Sequence, residues 1–167
     1  MPQGLVRIQQ SKQSHFVTFS CYRREARLTE ESTCQTFLDS LERVRRTRGI
    51  RLYGYVLMPE HVHLLMGEPE HGVLCGALQA LKISVARRAV GGTMWQRRYY
   101  DRNVRDHEEF VEKLRYIHRN PVARGLCARP GEWPWSSFRH YLTAEMSIVE
   151  IESEWTAMRR EGRDPNP

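Results

Sequence analysis

Two histidines one residue apart, His61 and His63, stand in the otherwise apolar stretch "YVLMPEHVHLLM" directly after a proline. In a strand, side chains two apart share a face, so His61, His63 and Leu65 lie together while Val62, Leu64 and Met66 point the other way. The second set is wholly apolar and reads as the core side. Both imidazoles then project from the opposite face with their ring nitrogens close enough for one divalent ion to bridge them. Two adjacent imidazoles without such an ion are an awkward pair, because protonating one opposes protonation of the other. An isolated His-x-His is still weak, and two histidines each hydrogen-bonded to a neighbour are the commoner outcome. A metal reading needs a third ligand and a reactive group.

The segment "HEEFVEKLRYIHRN" offers candidates. At 100° per residue from Phe110, its apolar stripe of Phe110, Val111, Leu114 and Ile117 centres near ~30°, whereas Tyr116, Asn120 and Lys113 fall at about 240°, 280° and 300°. A phenol, an amide and an ammonium thus share the off-core side of one helix. Pro121 disfavours helical backbone in the residue before it, so this helix is expected to end at or before Asn120.

The elements that must position these groups follow from patterning. "HFVTFSC" alternates as a strand. Thr29 is placed to cap a helix with Glu30 and Glu31 in its first turn and Phe37, Leu38, Leu41 and Val44 at helical spacing, ending near Gly49. Ile50 to Met58 and His61 to Met66 read as strands separated by Pro59. Gly72 to Val90 carries Leu74, Leu78, Leu81 and Val85 on one stripe, closed by Gly91 and Gly92. "TMWQRRYYDRNV" is a further strand, and Asp101 or Asp106 precedes the last clear helix. "RPGEWPWSSFRHYL" reads as an ordered surface segment in which Trp133 and Trp135 pack and Ser136 or Ser137 caps the next turn. The order β-α-β-β-α-β-α predicts an α+β sandwich, a mainly antiparallel sheet with helices on one face.

The chain has 167 residues and is 40% hydrophobic, enough for a single globular core. It carries 26 Lys+Arg against 20 Asp+Glu. Six of the acids but only three of the bases lie in residues 145–167, leaving 23 bases against 14 acids before them. That excess suits a polyanion partner held by phosphate neutralisation. Lys82, Arg87, Arg88, Arg97, Arg98, Lys113, Arg115 and Arg119 are the candidate phosphate contacts, and Tyr99 or Tyr100 the candidates for stacking unpaired bases. Cys21, Cys34, Cys75 and Cys127 form no CxxC pair, against a structural zinc site or a disulfide scaffold. The N-terminus has no apolar signal core and no run is long enough for a membrane helix, so a cytoplasmic setting is expected.

Four segments, "YVLMPEHVHLLM", "MWQRRYYDR", "LRYIHRNPVARGL" and "WPWSSFRHYL", resemble in order and spacing the REP-associated tyrosine transposases, relatives of the single-strand DNA transposases with a His-hydrophobic-His motif. The likeness spans roughly residues 15–142, with 1–14 as an N-terminal extension and 143–167 as an acidic, partly flexible tail. It implies a ferredoxin-like sheet, His61, His63 and Asn120 as ligands of Mg²⁺ or Mn²⁺, and Tyr116 as the nucleophile. It also implies cleavage of single-stranded DNA beside palindromic hairpins such as REP elements, through a 5′-phosphotyrosine. A prokaryotic cell is implied as well. Lys113 is a candidate to stabilise the phenolate. Glu60 departs from the family pattern, which more often has asparagine there; this bears on the local turn. A monomer is favoured over a homodimer. Two other readings stay open: a hairpin-binding regulator of the same fold that does not cut, and a metal-dependent hydrolase in which Tyr116 is dispensable.

Overall fold

The structure, a computed structural model, describes residues 13–165. Its elements are β1 (Ser14–Cys21), α1 (Glu31–Arg48), β2 (Leu52–Leu57), β3 (His61–Met66), α2 (Leu74–Arg88), β4 (Trp95–Val104), α3 (His107–Ala123), α4 (Phe138–Thr143) and α5 (Glu154–Arg160). The strands form one antiparallel sheet in the order β2-β3-β1-β4. α1 and α2 each connect two strands that run parallel with a third between them, the doubled β-α-β arrangement of a ferredoxin-like fold. The expected α+β class holds, and the histidine strand is central.

Period-two patterning decides which face each helix covers. Val17, Phe19 and Cys21 of β1 and Val62, Leu64 and Met66 of β3 pack under Phe37, Leu41, Leu78 and Leu81 of α1 and α2. Phe16, Val56, Met58 and Leu65 point the other way and pack with Ile117 of α3. The helices therefore do not all lie on one face: α3 takes the second, over β2 and β3. Gly54 on β2 permits this approach, since a Cβ there would stand 2.5 Å from Leu114 Cδ1 and 3.3 Å from Ser137 Oγ. Leu114 can turn its methyl from a single added carbon but not from a branched one. Gly54→Val is therefore expected to lower stability by about 1–3 kcal/mol through overpacking, read from the urea midpoint; an unchanged midpoint would mean that α3 has room to move.

Four expectations change. Pro121 does not stop α3, which runs on to Ala123. Proline in a helix interior costs roughly 3 kcal/mol, but in the last turn it removes only the bond to the Ile117 carbonyl. Arg124 N–H donates to Asn120 O (3.0 Å) and Leu126 N–H to Pro121 O (2.9 Å), closing the end. Pro121 is itself buried, so packing at the end of the helix offsets the reduced local cost. At α1, Glu30 rather than Thr29 is the N-cap residue. β2 and α2 are each shorter than their patterns, starting at Leu52 and Leu74. The acidic C-terminal segment, expected to be partly flexible, is packed on the domain over residues 149–160: Val149 and Ile151 enter the main core, Arg160 pairs with Glu150 and Glu152, and Glu152 N–H donates to Leu52 O (2.7 Å). The N-terminal extension lies, up to residue 12, outside the described residues.

The tryptophan segment packs as expected. Trp133 Nε1–H donates to Leu57 O (3.0 Å), Leu57 N–H donates to Trp135 O (2.8 Å), and Ser136 Oγ accepts from Phe138 N–H (3.1 Å). Ser137 Oγ accepts the Tyr55 N–H at 3.0 Å and lies 2.8 Å from Nε2 of His118, whose pKa burial pushes down to about 4. One hydroxyl thus joins β2, α3 and this segment.

On the α1/α2 side, His15 is fully buried between two carboxylates, Nδ1 at 2.7 Å from Asp101 Oδ1 and Nε2 at 2.8 Å from Glu68 Oε1. Burial pulls its pKa down, but the hydrogen bonds and charges of Asp101 and Glu68 outweigh this and leave it above the ordinary 6.5. A histidine with a raised folded-state pKa contributes stability that is fully present below the unfolded value and is lost as pH rises through the folded one. The wild-type urea midpoint should therefore fall on going from below pH 6.5 into the alkaline range. His15→Gln should be less stable at low pH and flatter across that range; a parallel pH curve would remove His15 as the cause.

Candidate active site

The site begins on β3. His61 and His63 are buried on the α3 face, their Nε2 atoms 3.0 Å apart and their rings inclined at 78°. In the β1 register Ser20 lies opposite His61 and Thr18 opposite His63. Thr18 Oγ1 is 2.7 Å from His63 Nδ1, and Glu60 Oε1 is 2.9 Å from His61 Nδ1. Phe16, next along the same face of β1, stacks on His63 at 5.3 Å. Burial, then repulsion from His61, pushes the His63 pKa down to about 3. Burial also lowers His61, against the pull of Glu60. Both rings are thus neutral near pH 7, the form in which imidazole is a metal ligand.

α3 brings the remaining groups. Asp106 caps it, its carboxylate accepting the Glu109 N–H at 2.8 Å, which fixes the start and hence the phase of the helix. Because the helix continues through Pro121, Asn120 stays in phase with Tyr116. Tyr116 is 51% exposed, with its ring 5.4 Å from that of His63 and 5.9 Å from that of Phe16. Asn120 is buried, its Nδ2 3.4 Å from His63 Nε2, and its Oδ1 has no hydrogen-bond partner among the described residues. A buried amide oxygen without a partner costs about 1–3 kcal/mol. Half a turn of the amide exchanges its oxygen and nitrogen, which would bring the oxygen to the position 3.4 Å from His63 Nε2. Two neutral nitrogens and one unpartnered oxygen make a mixed N/O donor set that fits a divalent ion. Among the described residues no group of three or more His, Cys, Asp and Glu side chains is placed to hold a metal, so the candidate donor set is this mixed one. Lys113 Nζ sits 5.2 Å from the centre of the Phe16 ring, on the same side as Tyr116.

The other candidate residues divide by face. In the β1–β4 register Tyr100 pairs with Thr18 and Tyr99 with Phe19. Tyr100 is therefore exposed on the histidine side, 6.5 Å from Phe16, while Tyr99 packs against the α1/α2 core. The stacking role expected of Tyr99 does not suit its position. Lys82 is also displaced from the role expected of it, since its ammonium donates to Gln96 O (2.7 Å) and lies over Phe19 on the far side of the sheet. Arg87 and Arg88 end α2 and line a groove with Arg43 and Arg48, likewise away from the histidines. Arg97 and Arg98 are exposed on β4, and Arg115 and Arg119 on α3. Sequence reasoning missed Phe16 and Thr18 as neighbours of His63. Both share one parity of "HFVTFSC", but only the strand order puts that parity beside β3.

The model of the family described as "Transposase IS200 like" matches residues 9–120, two-thirds of the chain and every group described above. The chain belongs to the IS200-like transposase family. Among curated proteins, this IS200-like chain is 26% identical over 105 residues to the REP-associated tyrosine transposase of Escherichia coli K12, covering 62% of this chain and 64% of that one. It is 30% identical over 105 residues to a Haemophilus influenzae protein provisionally given the same name, covering 54% and 60%. The chain thus spans less than two-thirds of the length of these relatives. A solved structure of a REP-associated tyrosine transposase bound to a REP hairpin superposes with a TM-score of 0.75 over 90% of this chain and 92% of that one, at 22% identity. At that identity the likeness bears on the fold, which is shared. Among the described residues, no helix is long and apolar enough to cross a membrane.

Proposed function

We propose that this IS200-like protein is a metal-dependent single-strand DNA endonuclease and strand transferase that acts beside palindromic hairpins such as REP elements. The observation that carries the reading is the convergence on His63 of three groups from three positions in the chain: His61 Nε2 at 3.0 Å, Asn120 Nδ2 at 3.4 Å and the Tyr116 ring at 5.4 Å. A hairpin binder that never cuts has no use for a half-exposed phenol against a buried imidazole pair. The hairpin bound by the solved relative supports DNA of that shape as the partner.

His61, His63 and the Asn120 amide oxygen would hold the cation, which when bound supplies Lewis-acid polarisation of a phosphate oxygen. Tyr116 oxygen forms a bond to phosphorus as the bond to the 3′-oxygen breaks, giving a 5′-phosphotyrosine and a free 3′-hydroxyl. The phenolic proton passes to solvent, and the departing oxygen takes one up. Lys113 would supply positive charge on the same side as Tyr116, towards the reacting phosphate. Because one phosphodiester is exchanged for another ester, an incoming 3′-hydroxyl reverses the step and joins strands without a nucleotide cofactor. Tyr100, Arg98 and Arg102 on the open part of the sheet face, with Arg115 and Arg119 on α3, would meet bases and phosphates.

The test is incubation with a single-stranded DNA hairpin and Mg²⁺ or Mn²⁺, followed by a denaturing gel. A covalent protein–DNA species is expected with metal and none with EDTA. Hairpin binding without cleavage under either metal would favour the regulator; cleavage without a covalent species would favour a hydrolase.

A further inference from the structure

Besides the proposed ligands and nucleophile, one carboxylate reaches into the site. Glu60 is buried in the two-residue turn between β2 and β3, closed by Met58 N–H donating to His61 O at 2.8 Å. The turn is held from outside as well: Cys21 N–H donates to Glu60 O (2.9 Å) and Leu28 N–H to Pro59 O (3.0 Å). The Glu60 backbone thus has little freedom. Its Oε1 lies 2.9 Å from His61 Nδ1 and accepts from Arg124 at 2.7 Å, while an Arg24 nitrogen stands 3.7 Å away. Arg124 directly follows α3, 64 residues along the chain, so this ion pair ties the end of the helix carrying Tyr116 and Asn120 to the turn that carries His61.

A carboxylate can only accept, so the Nδ1 facing it must carry the proton. The Nε2 of His61 then presents its lone pair towards His63 Nε2, 3.0 Å away, which donates its own proton to it while no metal is bound. The two histidines differ here: His63 Nδ1 faces the Thr18 hydroxyl, which can donate or accept and so fixes no tautomer. We infer that Glu60 is a positioning residue, fixing His61 with its proton on Nδ1 and its Nε2 lone pair free for a metal, while Arg124 holds the carboxylate in place from the end of α3. Outer partners of this kind typically change metal affinity 10- to 100-fold.

The inference builds on the metal reading above, so its test separates the two. Two-bond proton–nitrogen correlation spectra of histidine-labelled protein, taken without metal, report which nitrogen of His61 is protonated. Wild type should show Nδ1–H alone, Glu60→Gln, whose amide oxygen still accepts, should largely keep it, and Glu60→Ala should mix the two tautomers. Mn²⁺ titration followed by the resonance signal of the free ion should show a fall in affinity of about 10- to 100-fold for Glu60→Ala and a smaller one for Glu60→Gln. Arg124→Ala, which leaves the carboxylate beside His61, should lose only a few-fold. An unchanged His61 tautomer in Glu60→Ala would overturn the inference, as would Mn²⁺ affinity equal to wild type or a loss in Arg124→Ala as large as in Glu60→Ala. If wild type binds Mn²⁺ no better than His61→Ala does, the metal reading fails while the tautomer spectra still decide the role of Glu60.

Discussion

Tyr116→Phe should abolish the covalent protein–DNA species and lower strand cleavage by roughly 10⁴- to 10⁶-fold, the usual consequence of removing a nucleophile from a unit that acts together. Folding and hairpin affinity should stay close to wild type. The ring is what packs, edge-on against His63 and Phe16, and phenylalanine keeps it. The side chain is 51% exposed, so removing its hydroxyl leaves no buried partner stranded, and such surface changes are usually within about 0.5 kcal/mol. The measurement is a denaturing gel for the adduct beside a binding titration at fixed salt, since phosphate contacts make affinity steeply salt-dependent. Cleavage that survives in Tyr116→Phe would transfer the chemistry to water and sink the tyrosine reading.

The parts of this site that were legible in the sequence are those set by short-range periodicity. Strand parity alone put His61 and His63 on the face that Val62, Leu64 and Met66 avoid, and β3 spans His61–Met66 as the pattern required. Helical phase alone put Tyr116, Asn120 and Lys113 on one side of α3. The local preference at Pro121 misled because in the last turn it removes a single hydrogen bond, and Pro121 is itself buried. The acidic end of the chain misled for a related reason: its charge count hid Val149 and Ile151, which enter the core while Arg160 pairs with Glu150 and Glu152. The partners of the histidines were not legible, since Thr18 and Arg124 lie 45 and 64 residues from His63 and Glu60. No pattern within one element states which strand is its neighbour. Lys82 and Tyr99 show the converse limit, a plausible residue type placed on the wrong side of the sheet.

Asn120 should give opposite signs for stability and activity. Its Oδ1 is buried without a partner and its Nδ2 lies at the long distance of 3.4 Å from His63, so without metal the amide contributes little bonding and bears a desolvation cost of about 1–3 kcal/mol. Asn120→Leu keeps the γ-branched shape with the same number of heavy atoms, though its methyl groups are bulkier, removes the orphaned oxygen and has the better helix propensity. In EDTA it should therefore be at least as stable as wild type, by up to roughly 1 kcal/mol once imperfect packing is allowed for. Adduct formation should fall by roughly 100-fold or more, since loss of a direct ligand should cost at least what loss of an outer partner does. Adding Mn²⁺ should reverse the order of stability. Ligand binding stabilises the folded state by about 2.7 kcal/mol at one hundred times the dissociation constant, and only wild type would gain it in full. Urea midpoints in EDTA and in Mn²⁺ measure both halves. If Asn120→Leu is clearly less stable than wild type in EDTA, the amide is a structural hydrogen-bonding group. If it is at least as stable in EDTA but gains as much from Mn²⁺ as wild type, the metal does not use the amide. The expected crossing of the two curves is what a group kept for a ligand produces, because the cost of burying it unpaired is recovered only when the ligand is bound.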